Sequence, residues 1–309
     1  MTWVVFAQFI DSTLRASTPI ILVALGAVFS HRAGIFNLGL EGFMLFGAFG
    51  SIAGTLASGS QLVGLVLAIS LAMLTSLLFW TVTEVMKADP IIAGLGISIL
   101  GLGGTSFALL AIFHSRGAIY VTEGLWRPVR NADGGILAMV SDLSILVWVT
   151  PLLVFMVWLV LRRTRFGINI SVVGDYPFAA RSAGILPSLV KLKAILITGA
   201  FAGLGGAELA LGSLRAFTEN ITQGRGFMAF TAVVFGAGAP IGAALAGLFF
   251  GLADAVGIQT QVLAEGLPIP REVILGLPYL LTIAAVWFDG SRRKKRGEQL
   301  SGFGEFRNE

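Results

Sequence analysis

The sequence predicts an all-α fold, a polytopic transmembrane helical bundle of about 8–10 membrane segments, some of them short or broken. Three observations carry this expectation. Of 309 residues, 56% are hydrophobic and 12% charged, with a mean hydropathy of +0.87, whereas soluble domains carry charge on about a quarter of their residues. The apolar residues gather in runs near the ~20 residues a helix needs to cross ~30 Å of hydrocarbon. Glycine, 40 residues in all, recurs inside those runs, where a missing side chain lets helix backbones approach closely.

Eight apolar runs follow one another at 16–30, 35–58, 61–83, 90–113, 143–161, 194–214, 227–256 and 269–288. Ahead of the first there is neither a basic segment nor a small-residue cleavage site, so it reads as a retained insertion signal. Short connections after the first and third runs carry Arg32 and Lys87. The connection 114–142 mixes Arg116, Arg127 and Arg130 with Glu123, Asp133 and Asp142. The next connection, 162–193, is strongly basic, with Arg162, Arg163, Arg165, Arg181, Lys191 and Lys193 against Asp175 alone. A last basic cluster, Arg292, Arg293, Lys294, Lys295 and Arg296, follows the final run. Basic residues collect on the cytoplasmic side, which places 162–193 and the C-terminus inside. Counting back puts 114–142 outside, Arg32 and Lys87 inside, and the N-terminus outside, unless residues 3–15, with Asp11 and Arg15, add a span.

Two cytoplasmic anchors require an even number of crossings between them, yet only three runs lie there. The run 227–256 resolves the mismatch, because Gly236, Gly238 and Pro240 interrupt it where a continuous helix is disfavoured. It is expected to divide into two short or broken helices packed inside protein, where irregular backbone is tolerated. Residues 1–290 then form the membrane domain and 291–309 a basic cytoplasmic tail that can touch anionic lipid headgroups. The net charge of +4 belongs to these membrane-flanking loops, so no nucleic-acid partner is expected.

The chain has no cysteine and two distant histidines, His31 and His114, which argues against thiol chemistry and metal sites. No GxxxxGK[ST] loop is present to cradle nucleotide phosphates and no GxSxG elbow to present a nucleophile. The expectation is a protein that is not an enzyme and holds no cofactor or metal. Acids within or beside the runs are Glu41, Glu84, Glu208 and Asp254; such groups face protein or water, because lipid exposure costs about 2.5–3.5 kcal/mol. Asn37, Glu41, Ser98, Thr105, Glu208, Asn220 and Thr231 are the candidates to line a path for a polar solute. The same groups serve equally well as helix caps and interhelical hydrogen bonds. Gly199 with Gly203 and Gly247 with Gly251 have GxxxG spacing, which suits contacts within the chain or between chains. These residues leave an ion-coupled secondary transporter, acting without an ATPase, as one reading.

Within the basic connection, GDYPFAARSAGI (174–185) has Gly174, Asp175 and Pro177 to start a short helix and Gly184 to stop it. A helix of about two turns presents Phe178, Ala179 and Ala180 flanked by Arg181, an element suited to docking in a groove of another protein.

The spacing of Ala179, Ala180 and Gly184, AAxxxG, resembles the coupling loop of bacterial ABC importer permeases. STPIILVALGAVFSHRAGIFNLGLEGFMLFGAF (17–49), ENITQGRGFMAFTAVVFGAGAPIGAALAGLFFGLADA (219–255) and GDYPFAARSAGI together resemble the permease family serving branched-chain amino acid, ribose and nucleoside importers. The first two look most like its nucleoside and simple-sugar branch, and the resemblance covers nearly the whole chain. It implies a transmembrane permease subunit of an ATP-driven importer, forming the path for a nucleoside or simple sugar. A cytoplasmic ABC ATPase would dock on Gly174, Asp175, Pro177, Ala179, Ala180, Arg181 and Gly184. An extracytoplasmic solute-binding lipoprotein would deliver the solute, and a paralogous permease would complete a heterodimer in the bacterial plasma (inner) membrane. The usual coupling segment reads GENP; here Asp175 keeps the negative charge, Tyr176 replaces the amide, and Phe178 stands where many such loops carry glutamate.

Overall fold

In the computed structural model, which describes residues 2–115, 117–129 and 142–263, hydrophobic runs become helices wherever the backbone must satisfy its own hydrogen bonds. Two compact units comprise Met1–Leu252 and Ala253–Glu309, and the described part of the second is the final turns of helix α10. The run 269–288, the tail 291–309 and Arg116, Arg130 and Asp133 lie outside the described residues.

Helix α1 spans Thr2–Arg32 without a break. The additional span considered for residues 3–15 is therefore not separate; Asp11 and Arg15 pair along one helix, Nε to Oδ2 at 2.8 Å, so neither charge interrupts it. Helix α2 (Leu40–Ser58) turns back at Gly59 into α3 (Gln61–Trp80), which ends in a π-helical turn, Thr81–Val85. Asp89 accepts from the amides of Ile91 and Ile92 and Pro90 opens the first turn, so α4 (Pro90–Phe113) starts where a capping acid and an N1 proline dictate. Strand β1 (Ala118–Tyr120) and α5 (Ile145–Arg163) follow, then α6 (Arg165–Asp175), α7 (Pro177–Ser182) and α8 (Pro187–Ala207). A second π-helical segment, Glu208–Leu214, leads to β2 (Ala216–Thr218), α9 (Arg225–Phe235) and α10 (Pro240–Leu263). Seven of the described helices are long and apolar enough to cross a membrane, and α9 is a shorter apolar helix.

Two boundaries differ from the sequence expectation. The segment 162–193 is largely helical, and α8 begins at Pro187, not 194; Lys191 is accommodated inside it because its Nζ meets Glu84 Oε1 at 2.5 Å. The run 35–58 is helical only from Leu40. Its first residues are non-helical although Ile35 and Asn37 are buried, an arrangement that needs surrounding protein. The expected division of 227–256 is present: α9 ends at Phe235 and α10 begins at Pro240.

Backbone proximity at glycines sets the packing. A Cβ on Gly42 would strike the backbone of Ile97, and one on Gly101 that of Gly42, so α2 and α4 touch main chain to main chain. Gly199 and Gly203 face Ala72, Ser76 and Ala68 of α3, while Gly247 and Gly251 face Ile21 and Ser17 of α1. Both GxxxG pairs are thus used within the chain. Gly26 lies against Thr198 and Phe201, and Gly205 against Pro19 and Val23, so α1 and α8 run antiparallel. Gly203 against Ala68 and Gly199 against Ala72 make α3 antiparallel to α8 as well. The ends of α1 and α3 and the start of α8 therefore share one side, the basic side. The turn from α2 to α3 lies on the other side, with strands β1 and β2, which pair antiparallel through Ile119 and Phe217.

A short sequence pattern recurs at two places in this arrangement. Arg32-Ala33, Asn37 and Gly42-Phe43-Met44 recur as Arg215-Ala216, Asn220 and Gly226-Phe227-Met228 with one extra residue between. The first copy leaves α1 on the basic side, runs irregularly inward and starts α2. The second leaves the π-helical segment on the opposite side, passes through β2 and a turn, and starts α9. The two copies are inverted relative to each other, and their helix starts meet.

Candidate functional site

At that meeting point, Glu41, the second residue of α2, is buried and its carboxylate accepts three hydrogen bonds from the start of α9. Oε1 takes the Thr222 hydroxyl at 2.5 Å and the Gly224 amide at 2.8 Å, and Oε2 takes the Gly226 amide at 2.7 Å. A helix leaves its first amides unpaired and carries a partial positive charge there; Glu41 supplies both the acceptor and the negative charge. Gly226 is needed for the approach, because a Cβ there would lie 2.5 Å from the Glu41 backbone. On the other strand of the junction, Asn37 Oδ1 accepts the Gly39 amide at 2.9 Å, and Ser98 Oγ donates to Leu38 O at 3.0 Å. Phe36 meets Phe230 edge to face at 4.6 Å.

Of the candidate path residues, the structure gathers Asn37, Glu41 and Ser98 around this junction. All three are buried and tied to backbone, and Thr105 is likewise buried and donates to Gly101 O. Glu208 lies elsewhere, where the π-helical segment passes the start of α5: its Oε2 accepts the Ser144 hydroxyl at 2.5 Å, and Ser144 also caps α5. Asn220 and Thr231 are the candidates with accessible surface. Thr231 donates to Phe227 O, and Phe227, Thr231 and Val234 follow one face of α9 at i, i+4, i+7 spacing. Asn220 and Gln223 adopt positive φ, 54° and 48°, in the turn that brings Thr222 and Gly224 to Glu41. Thr222, which its polar, Gly-rich surroundings in 215–227 mark as a path residue, instead binds Glu41 together with Gly224 and Gly226; that partner stands 181 to 185 residues away, and no local pattern announces it.

On the basic side, α6 and α7 carry the segment with AAxxxG spacing. Thr164 caps α6 by accepting the Gly167 amide, and Pro177 opens α7. The chain leaves α7 through Gly184 at φ +77°, a left-handed turn that glycine adopts without strain. Tyr176 and Phe178 stand out at 71% and 81% exposure, with Ala179 and Arg181 also exposed, whereas Ala180 is fully buried. The expected apolar face therefore splits: Ala180 anchors α7 to its own domain, and Phe178 and Ala179 face outward. Gly174, at the end of α6, abuts Arg32 O and the Gly34 amide so closely that a Cβ would overlap them. Asp175 lines a cavity of about 320 Å³ with His31, Arg32, Gly34, Ser171, Gly174, Ala237 and Gly238.

The chain is 34% identical to the guanosine ABC transporter permease protein NupQ of Bacillus subtilis over 292 residues, covering 91% of this chain and 92% of that one. It is 31% identical to the nucleoside ABC transporter permease protein NupC of Lactococcus lactis, covering 89% of each. It is 29% identical to the putative glucose ABC transporter permease protein TsgC13 of Haloferax volcanii, covering 91% of each. No solved structure matches. The model of the family described as branched-chain amino acid transport system / permease component matches residues 9–286, and the chain belongs to that family of membrane permeases.

Proposed function

We propose that this chain is the transmembrane permease subunit of an ATP-driven ABC importer and forms the path for a nucleoside or simple sugar in the bacterial plasma (inner) membrane, with its C-terminus in the cytoplasm. The single observation that carries the reading is α7: a short helix on the basic side, anchored by Ala180 and presenting Phe178, Ala179 and Arg181 outward. An exposed aromatic on a rigid, partly buried helix is the geometry of an element that inserts into a partner's groove. The partner is a cytoplasmic ABC ATPase, which binds at Gly174, Asp175, Pro177, Ala179, Arg181 and Gly184, with Ala180 holding the helix in place. Likeness to nucleoside and glucose permeases supports the substrate class.

A paralogous permease is the second membrane subunit; likeness to both NupQ and NupP of one organism supports a heterodimer over a homodimer. An extracytoplasmic lipoprotein delivers the solute. The accessible face of α9 with Phe227, Thr231 and Val234, together with Asn220 and Gln223, borders the path: polar groups there need water or protein, not lipid. The test is uptake of labelled guanosine and glucose into proteoliposomes holding this chain with an ABC ATPase, a paralogous permease and a solute-binding lipoprotein from the same organism. ATP-dependent uptake of either solute, abolished by Phe178→Asp with the binding protein still docked, is the expected result. Uptake by this chain alone under an ion gradient would overturn the reading in favour of a secondary transporter.

A further inference from the structure

Helix α9 is pinned at both ends, and the two pins belong to different systems. Its start is held by Glu41, as described. Its end is held by Arg32, whose Nε donates to Gly238 O at 2.8 Å in the break between α9 and α10. That break is a tight left-handed corner, with Ala237 at φ +50° and Gly238 at +65°. Gly236 packs directly on Gly242 and Ala243, so the corner and the first turn of α10 move together. Arg32 also belongs to the stretch against which Gly174 of α6 is pressed, and α6 runs straight into α7. A continuous chain of contacts therefore leads from α7 through Gly174 to the Arg32 backbone and, by the Arg32 side chain, to Gly238 and α9.

Arg32 lines two clefts, the one of about 320 Å³ and a second, of about 360 Å³, that it shares with Trp158, Arg162, Ala239 and Pro240. Beside it His31 packs against Gly238, and the Arg32 side chain adds the hydrogen bond that ties the end of α1 to the corner. We propose that Arg32 is a positioning residue that transmits movement of α7 to the half-length helix α9, and so to its start at Glu41, where the solute path lies. The inference rests on the reading of α7 as the ATPase-docking element.

The chain has no cysteine, so introduced thiols are the only ones this subunit carries. Two changes to the complete reconstituted complex test the proposal: Arg32→Ala, and the pair Ser171→Cys with Ala237→Cys, made with and without Arg32→Ala and joined across the cavity by a bifunctional thiosulfonate reagent, whose disulfide links can be reduced. Arg32→Ala is expected to lower solute imported per ATP hydrolysed by about tenfold, within the range of coupling mutations, while binding-protein-stimulated hydrolysis persists. A merely structural role lowers import and stimulated hydrolysis together. With Arg32→Ala present, cross-linking is expected to restore import per ATP and reduction to remove it again, because the link replaces the lost bond between the basic side and the corner; with Arg32 intact the cross-link leaves import running. Unchanged import per ATP in Arg32→Ala, or loss of import on cross-linking the complex that keeps Arg32, overturns the proposal. If Arg32→Ala does not assemble, cross-linking of the complex that keeps Arg32 decides alone. Failure of the unmodified complex to couple ATP to import would instead overturn the function proposed above.

Discussion

Replacing Glu41 by alanine removes the carboxylate that accepts the buried Gly226 amide, the partly buried Gly224 amide and the Thr222 hydroxyl at the start of α9. An unpaired buried donor costs about 1–3 kcal/mol, so the amides of Gly224 and Gly226 together cost about 2–6 kcal/mol in Glu41→Ala. Glu41→Gln keeps one acceptor oxygen but turns its amide against a donor and loses the charge facing the helix start, for about 1–3 kcal/mol. Unfolding of the purified chain in mixed micelles by denaturing detergent gives the order expected: wild type, then Gln, then Ala. Hydrogen exchange over 219–230 adds the local signature, since the Gly224 and Gly226 amides lose protection in both variants and the β1–β2 pairing does not. Wild-type stability of Glu41→Ala with unaltered exchange at 219–230 would refute the reasoning.

Glycines of α4 give opposite signs along one helix. Gly94→Ala and Gly101→Ala drive a methyl into the backbones of Leu38 and Gly42 and are expected to destabilise by several kcal/mol, whereas Gly96→Ala and Gly103→Ala meet nothing within 4 Å and gain up to about 1 kcal/mol of helix propensity; thermal unfolding in detergent separates the pairs. Ser144→Ala loses the cap of α5 and the hydroxyl on Glu208 at once, an expected loss of about 2–4 kcal/mol by the same assay. Glu84→Gln weakens the bond to Lys191, and a loss of about 1 kcal/mol that shrinks in high salt is expected. Gly174→Leu forces α6 away from Arg32 and Gly34, and loss of ATPase co-purification with the membrane domain still folded checks it.

Local chemistry made part of this architecture readable. Asp89 with Pro90 starts α4, Pro177 with Gly184 brackets α7, and the glycines and proline at 236–240 break the run they interrupt; in each case the deciding atoms lie within a few residues. The start of α2 was not readable, because residues 35–39 are as apolar as the helix after them, and what makes them irregular is burial against α4 through Gly94 and Ser98. Charge misplaced the start of α8, since Lys191 is neutralised by Glu84 from a distant helix. The acids were legible as candidates but not their roles: Glu41 and Glu208 find partners through tertiary contacts, and burial alone does not separate a path-lining acid from a structural one.

The 11 residues of α9 measure about 16 Å along the axis, roughly half the hydrocarbon thickness. A segment of that length offers no stable transmembrane state while the ribosome is still delivering it. Its irregular approach, 219–224, finds hydrogen-bond partners only once α2 has presented Glu41. Biogenesis thus acquires an order: α1 through α8 insert first, α10 pulls the intervening chain across, and α9 settles last into a slot already built. Damage to Glu41 would then show as a nascent protein that reaches the membrane with α9 undocked, exposed to quality-control proteolysis before it meets any partner.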